Sequence, residues 1–208
     1  LRTPLNSILG FAQLLEMGDE LPLNEEQQEY VAYISSSGRH LLKLINEVLE
    51  LSTIEAGKVN ISIESINLST VLNECMALVL NIASEKQVKL NILNDDKNIG
   101  LMVDETKFKQ VLINLMSNAI KYNREGGEVN INWHLNPKTR QVKIGIMDTG
   151  IGIAESNQKH VFSAFNRLGK ENSGIEGTGI GLVVTKNLTE LMAGHISFDS
   201  VEGEGTTF

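Results

Sequence analysis

Apolar residues change their spacing once along this 208-residue chain, and the change divides it. Residues 1–17 carry apolar side chains at Leu1, Leu5, Ile8, Ala12 and Leu15. Steps of four and three residues predict a helical seam of heptad type. Pro4 removes a backbone donor and predicts a bend near the start of that helix. Gly18-Asp-Glu-Leu-Pro22 reads as a turn. A longer helix is predicted from Glu25 to Glu55, with a seam of Val31, Ile34, Gly38, Leu41, Ile45, Val48 and Ser52, widened by Leu42 and Leu49. Two helices on a short connection form a hairpin. One hairpin cannot bury stripes this wide on both helices, so the pattern predicts a homodimeric four-helix bundle.

Gly57 fits a helix C-terminal cap, and beyond it the period shortens. Val59, Ile61 and Ile63 alternate with polar residues and predict a strand. Helices are predicted over 68–86, 105–122 and 178–192. Strands are predicted over 88–93, 101–103, 128–135, 141–147 and 195–200, with Gly205-Thr-Thr-Phe208 as a sheet edge. Asn136-Pro137 marks the turn of a hairpin between 128–135 and 141–147. The predicted fold class is α+β. A helical hairpin over 1–56 precedes an α/β two-layer sandwich over 57–208, with no internal repeat.

Composition narrows the partners. Hydrophobic residues make up 41% and mean hydropathy is −0.06, enough for a buried core. The net charge of −8 argues against nucleic acid as the main partner. One cysteine, Cys75, excludes a disulfide framework or a cysteine zinc site within the chain. No apolar run approaches the roughly 20 residues of a membrane helix, so a cytoplasmic fragment is expected. Both ends read as interrupted, and any membrane anchoring is expected through segments outside them.

Chemistry-bearing residues gather in three places. The stretch from Asp148 to Leu182 opens with Asp148-Thr-Gly-Ile-Gly-Ile153 and closes with Gly177-Thr-Gly-Ile-Gly-Leu182. Glycine runs of this kind let backbone approach a ligand and turn N–H groups toward anions. The polar segment between them has the composition of a loop, which predicts a nucleotide pocket with a lid. On the helix over 105–122, Gln110, Asn114, Asn118 and Lys121 fall on one narrow stripe beside Phe108, Val111, Leu112, Leu115 and Ala119. An asparagine carbonyl suits a hard cation such as Mg²⁺, and a lysine offsets phosphate charge. A polar helix flank bonded through its amides is the competing reading of the same stripe. Asp148-Thr-Gly150 alone would also fit an aspartic-protease turn, but that chemistry needs two such turns face to face. The run at 177–181 follows a loop and fails the context of a dinucleotide fingerprint, and no P-loop motif occurs.

Taken in order, six segments carry a family resemblance: Leu1-Arg-Thr-Pro-Leu5, Asn114-Leu-Met-Ser-Asn-Ala-Ile-Lys-Tyr122, Asp148-Thr-Gly-Ile-Gly152, Phe162-Ser-Ala-Phe165, Gly177-Thr-Gly-Ile-Gly-Leu182 and Gly203-Glu-Gly-Thr-Thr-Phe208. The chain resembles the transmitter region of sensor histidine kinases. The resemblance implies a dimerisation and histidine-phosphotransfer hairpin, then a Bergerat-type ATP-binding domain of the kind shared with gyrase, Hsp90 and MutL. It implies ATP and Mg²⁺ as cofactors, a homodimer, and the receiver domain of a response regulator as partner.

By the same resemblance, Asn118 coordinates the metal and Asn114 lies beside metal and phosphates. Lys121 and Tyr122 contact phosphate and ribose, and Asp148 reads the adenine amine. Gly150, Gly152 and Ile153 shape the base pocket, and Thr206 lies near the base. Phe162 and Phe165 anchor the lid, and Arg167 and Lys170 are candidate phosphate contacts within it. Gly177, Thr178, Gly179, Gly181 and Leu182 bring backbone to the phosphates at a helix start placed at Thr178. The family's phosphoacceptor His stands in His-Glu-x-x-Thr/Asn before the proline. Thr3-Pro4 matches the end of that motif, which places the His two residues before Leu1. His40, His134, His160 and His195 lie outside this context, so no phosphoacceptor His falls within the chain. Thr3 occupies the position used in response-regulator dephosphorylation. Hydrolytic relatives carry a glutamate base where Asn114 stands, which predicts very slow ATP hydrolysis. A slow ATPase and an ATP-binding dimeric pseudokinase are the alternative readings.

Overall fold

The computed structural model describes residues 2–18, 22–94, 99–169 and 177–208. It divides into two compact units, Leu1–Gly57 and Lys58–Phe208.

The first unit holds α1 (Arg2–Glu16) and α2 (Glu25–Glu55), packed on each other. Asn24 starts α2 with a reciprocal capping box: its side chain accepts from Gln27 N at 2.9 Å, and the Gln27 side chain accepts from Asn24 N at 3.0 Å. Two otherwise orphaned N–H groups are thereby satisfied. Leu5 and Ala12 of α1 and Val31, Ser35 and Gly38 of α2 are buried. A Cβ on Gly38 would lie 2.7 Å from Leu9 Cδ2, so glycine there lets the helices approach closely. The other half of the predicted seam faces outward. Ile8 is 51% exposed, Leu15 52%, Ile34 47% and Leu41 48%.

The second unit is a mixed α/β fold. Its elements are β1 (Glu64–Asn67), α3 (Leu68–Glu85), β2 (Lys89–Ile92), β3 (Gly100–Val103), α4 (Glu105–Lys121), β4 (Glu128–Asn136), β5 (Gln141–Asp148), α5 (Glu155–Gln158), α6 (Gly181–Leu191), β6 (Asp199–Val201) and β7 (Gly205–Thr207). β1 and β3 form an antiparallel pair, and the main sheet runs β2-β4-β5-β7-β6. β2 lies parallel to β4, and every other pair in that sheet is antiparallel. α4 packs between α3 and α6 and against β4 and β5. Leu68, Leu72, Met116, Ile120, Ile131, Ile180 and Leu188 are fully buried where these layers meet. Each such side chain contributes about 1.5–3 kcal/mol relative to exposure. Asn67 caps α3 through Thr70 N at 3.0 Å, and Asp104 caps α4 through Lys107 N at 3.0 Å.

Four elements differ from their predicted positions. Val59–Ile63 forms no strand: alternation describes side chains, whereas a strand needs a partner, and the β3 ladder begins at Glu64, opposite Val103. α6 starts at Gly181, not Thr178, because Gly179 has φ +72°, outside any right-handed helix. The last strands shift as well: β6 begins at Asp199, and β7 is not an edge but lies between β5 and β6. Among the described residues no helix is long and apolar enough to cross a membrane.

Candidate functional site

α4 supplies one wall. Phe108, Val111, Leu112, Leu115 and Ala119 are buried, as the apolar stripe predicts, and Asn114, Asn118 and Lys121 are half-buried beside them. α6 packs on this helix, and its start brings the second glycine run against the polar stripe. A Cβ on Gly181 would lie 2.6 Å from Asn114 Oδ1, and one on Gly177 would lie 2.6 Å from Lys121 Nζ. The backbone at both glycines therefore lies close to the polar ends of those two side chains. Lys121 Nζ also stands 4.7 Å from the Tyr122 ring centroid. Asn114 Nδ2 donates to Thr185 Oγ1 on α6 at 2.7 Å. Unlike α2, α3 and α4, α6 has no side-chain cap among the described residues; Ile180 N donates instead to Thr178 Oγ1 at 3.3 Å.

The other wall is the turn after β5. Asp148 Oδ1 accepts from Gly150 N at 2.9 Å and from Thr206 N at 3.2 Å. Burial raises the Asp148 carboxyl above the ordinary carboxylate value, and those two backbone N–H groups partly oppose it. Its Oδ2 accepts no hydrogen bond from a described side chain or backbone group, leaving an acceptor for a ligand donor. Gly152 has φ +61°, and a Cβ there would collide with the Val201 carbonyl. Ile153 N donates to Ser200 Oγ at 2.9 Å, and Ser200 Oγ pairs with Thr206 Oγ1 at 2.9 Å. Thr206 is buried.

The two walls are joined directly. Ile151 N donates to the Tyr122 carbonyl at 3.1 Å. Thr149 Oγ1 donates to Asn123 Oδ1 at 3.2 Å and accepts from Glu128 N at 2.9 Å, while Asn123 Nδ2 donates to the Glu128 carbonyl at 3.0 Å. The end of α4 and the Asp148 turn therefore form one hydrogen-bonded piece. Burial pushes the Tyr122 hydroxyl up, and the Arg167 charge opposes it.

Not every predicted residue joins this arrangement. Phe162 packs edge-on against Phe198 at 5.9 Å and Phe208 at 6.5 Å. Phe165 is 62% exposed at φ +63°, and its N donates to the Gly179 carbonyl at 3.0 Å. Thr178 turns its hydroxyl onto Ile180 N at 3.3 Å, and Leu182 is half-buried in the first turn of α6. Lys170 lies outside the described residues. Thr3 is exposed on α1, in the other unit. His134, His160 and His195 are exposed, and His40 is half-buried on α2. Thr185, Asn123 and Ser200 escaped the sequence reading. Each acts through a partner 26 or more positions away, and none stands out by residue type in its local pattern.

Among the described residues no three His, Cys, Asp or Glu side chains gather as a metal site. The residues that fit a cation are amides. Asn118 is half-buried and its side chain bonds to no described residue, and a carbonyl oxygen suits Mg²⁺ where phosphate and water complete the shell.

This layout of glycine-flanked α6, amide-bearing α4 and a carboxylate at the end of β5 defines a nucleotide-binding α/β domain joined to a helical hairpin. Family comparison agrees in both units. Residues 103–208 match the histidine kinase-, DNA gyrase B-, and HSP90-like ATPase family, and residues 1–57 match the His kinase A (phospho-acceptor) domain. The chain belongs to this ATPase family, and its two segments together make a sensor histidine kinase transmitter core. An uncharacterized sensor-like histidine kinase of Rhizobium meliloti is 39% identical over 99% of the chain and 39% of its own length. The sensor protein GacS of Pseudomonas syringae is 38% identical over the whole chain and 23% of its own length. The chain thus spans well under half of these relatives. The full-length ShkA structure with AMPPNP superposes with a TM-score of 0.82 at 30% identity, covering all of this chain and 42% of that one.

Proposed function

We propose that the chain is the catalytic core of an ATP-dependent protein-histidine kinase in a two-component system. The observation that carries the reading is the meeting of Gly177 with Lys121 and Gly181 with Asn114, on a helix whose end is bonded to the Asp148 turn. Glycine backbone lying this close to a cation and beside two amides fits a polyphosphate. A desolvated carboxylate with one open oxygen fits an exocyclic amine.

In this reading Asp148 Oδ2 accepts from the adenine amine, and Gly150, Gly152, Ile153 and Thr206 shape the base pocket. Tyr122 and Lys121 hold ribose and phosphate, with Arg167 and Lys170 as lid cations. The N–H groups from Gly177 to Leu182, including Thr178 and Gly179, face the phosphates at the uncapped start of α6. Phe165 contributes through its backbone bond to Gly179. Asn118 holds Mg²⁺, with Asn114 beside it; when bound, the ion neutralises charge across the phosphates. Phosphoryl transfer depends mainly on such alignment and charge stabilisation. No carboxylate stands at position 114 to activate water, which keeps hydrolysis slow.

The γ-phosphoryl passes to a His two residues before Leu1 and from there to an aspartate of a response-regulator receiver domain. Thr3 serves the reverse, dephosphorylating direction. The outward seam of Ile8, Leu15, Ile34 and Leu41 is covered by a second copy of the hairpin. Incubating a chain extended upstream by His-Glu with γ-³²P-ATP and Mg²⁺ tests the reading. Acid-labile, base-stable label is expected on the added His. Nucleotide binding without any label would instead identify an ATP-binding pseudokinase, and several turnovers of hydrolysis per second would identify an ATPase.

A further inference from the structure

Asn123 and Thr149 are not among the residues placed against the ligand, yet each follows one that is. Asn123 comes after Tyr122, which ends α4, and Thr149 comes after Asp148, the last residue of β5. Glu128, the first residue of β4, closes a hydrogen-bonded ring with them. Glu128 N donates to Thr149 Oγ1 at 2.9 Å, Thr149 Oγ1 donates to Asn123 Oδ1 at 3.2 Å, and Asn123 Nδ2 donates to the Glu128 carbonyl at 3.0 Å. Backbone groups settle the polarity of every member, because they cannot exchange donor for acceptor. The Glu128 N–H can only donate, so Thr149 Oγ1 accepts there and its one proton is left for Asn123. Turning the Asn123 amide over would set its oxygen against the Glu128 carbonyl and its NH₂ against Arg124 N, which donates to Oδ1 at 3.0 Å. The ring therefore has one arrangement. The backbones that it joins are in contact: a Cβ on Gly150 would lie 2.3 Å from the Tyr122 carbonyl, to which Ile151 N donates at 3.1 Å.

We infer that Asn123 and Thr149 are positioning residues, whose ring with the Glu128 peptide fixes the spacing between the Asp148 carboxylate and the Lys121–Tyr122 end of α4. The inference rests on the ATP reading above, in which those two places take different parts of one nucleotide. Two sites held at a fixed spacing bind a linked ligand more tightly than either binds its own part, because the second contact forms with little further loss of freedom. If the spacing wanders, each site still takes its fragment, but the linked ligand loses that advantage. Valine at position 149 has the shape of threonine, yet it leaves Glu128 N without its acceptor and removes the donor to Asn123.

The test compares whole and split ligands on the intact chain, by NMR titration in Mg²⁺ with ATP, with adenosine alone and with inorganic tripolyphosphate alone. Thr149→Val is expected to lower ATP affinity about 10-fold, the order for one lost buried hydrogen bond, while the affinity for each fragment changes less than about 2-fold. Thr149→Ser, which keeps the hydroxyl, should bind ATP as the unmodified chain does. Asn123→Ala should reproduce the valine effect. The two substitutions together should stay within about 2-fold of either alone, because both open the same ring. A loss shared equally by ATP and the two fragments would reduce the ring to local stability and overturn the inference. So would an ATP affinity unchanged in Thr149→Val, or still lowered in Thr149→Ser. If Thr149→Val does not fold, Asn123→Ala decides on the same three ligands by the same criteria. If neither variant folds, the ring serves the fold rather than the spacing, and the inference is overturned. If the unmodified chain binds neither ATP nor either fragment, the ATP reading fails and this inference with it, whereas a result against the inference that is confined to the variants leaves that reading standing.

Discussion

The two units of this chain treat their apolar residues in opposite ways. In Lys58–Phe208 the apolar faces of α3, α4 and α6 meet one another or the sheet, and Leu72, Met116, Ile120, Ile131 and Leu188 are fully buried. Among the described residues of Leu1–Gly57, the buried apolar side chains are Leu5, Ala12, Val31, Leu51 and Ile54, while Phe11 is 69% exposed, Leu14 66% and Tyr33 64%. A two-helix hairpin has one interface, and an apolar stripe wider than that interface needs a second molecule. The α/β unit packs α3, α4 and α6 on one another and on the sheet, so much of its apolar surface finds partners within the chain, although Leu78 and Ile82 of α3 are 66% and 43% exposed. The difference teaches that a sheet with helices covers much of its apolar surface within the chain, whereas a lone hairpin leaves a continuous seam for another surface.

The largest effect that tests this contrast is on assembly. Ile8→Asp combined with Leu41→Asp places two charges on the outward seam. It should weaken dimerisation roughly 1000-fold or more, about 4 kcal/mol, by sedimentation equilibrium. ATP binding by the α/β unit should be unchanged; a variant that remains a dimer would mean that the seam is not the interface. The converse variant is Gly152→Ala, which puts a side chain at φ +61° against the Val201 carbonyl. It should cost the α/β unit about 3 kcal/mol, lowering its melting temperature by roughly 8 °C. Hairpin helicity and dimerisation should persist.

Asp148→Asn should lower ATP affinity about 100-fold, measured by calorimetry, because an NH₂ faces the amine that the carboxylate accepted. Stability should move the other way. The folded state holds the Asp148 proton more tightly than the unfolded chain does, since burial raises its pKa above 3.8. The ionised group is therefore unfavourable to folding at neutral pH, and this penalty fades as pH falls through the raised pKa toward 3.8. The asparagine variant should match or exceed the parent's melting temperature at pH 7, with the difference shrinking on acidification. The smallest effect is expected at Asp104, whose pKa is lowered by N–H bonds from Ser62 and Lys107. Its contribution is present at neutral pH and lost as pH falls below about 3.8 through the folded value. Asp104→Ala should cost about 1–2 kcal/mol at pH 7 and progressively less in acid.

Much of the fold was legible because helices announce themselves locally. α2 was predicted at Glu25–Glu55 and stands there, and α4 differs by one residue at its end. The apolar stripe on α4 is buried as its spacing implied. The β4–β5 hairpin lies where alternation and Asn136-Pro137 placed it. The misplaced elements are those whose identity depends on a partner. Val59–Ile63 alternates yet has no ladder, and β7 reads as an edge until β6 is seen to pair with it. The glycine runs and the amide stripe marked the candidate site by residue type, and Phe165, expected to anchor the lid, is 62% exposed.

By itself, the sequence determined the period change at Gly57, most of the helices, and the glycine, amide and carboxylate residues of the candidate site. Each of these is written in spacing or residue type within a few turns of chain. Only the tertiary structure decided that Gly177 meets Lys121 and Gly181 meets Asn114, that Asn123 and Thr149 bond the two walls together, and that Thr185 bonds to the Asn114 amide. Those contacts span 26 to 71 positions of chain, counted from Asn123 to Thr149 and from Asn114 to Thr185. Packing of α6 on α4 and closure of the sheet bring them together, and no local periodicity encodes a pairing of that range.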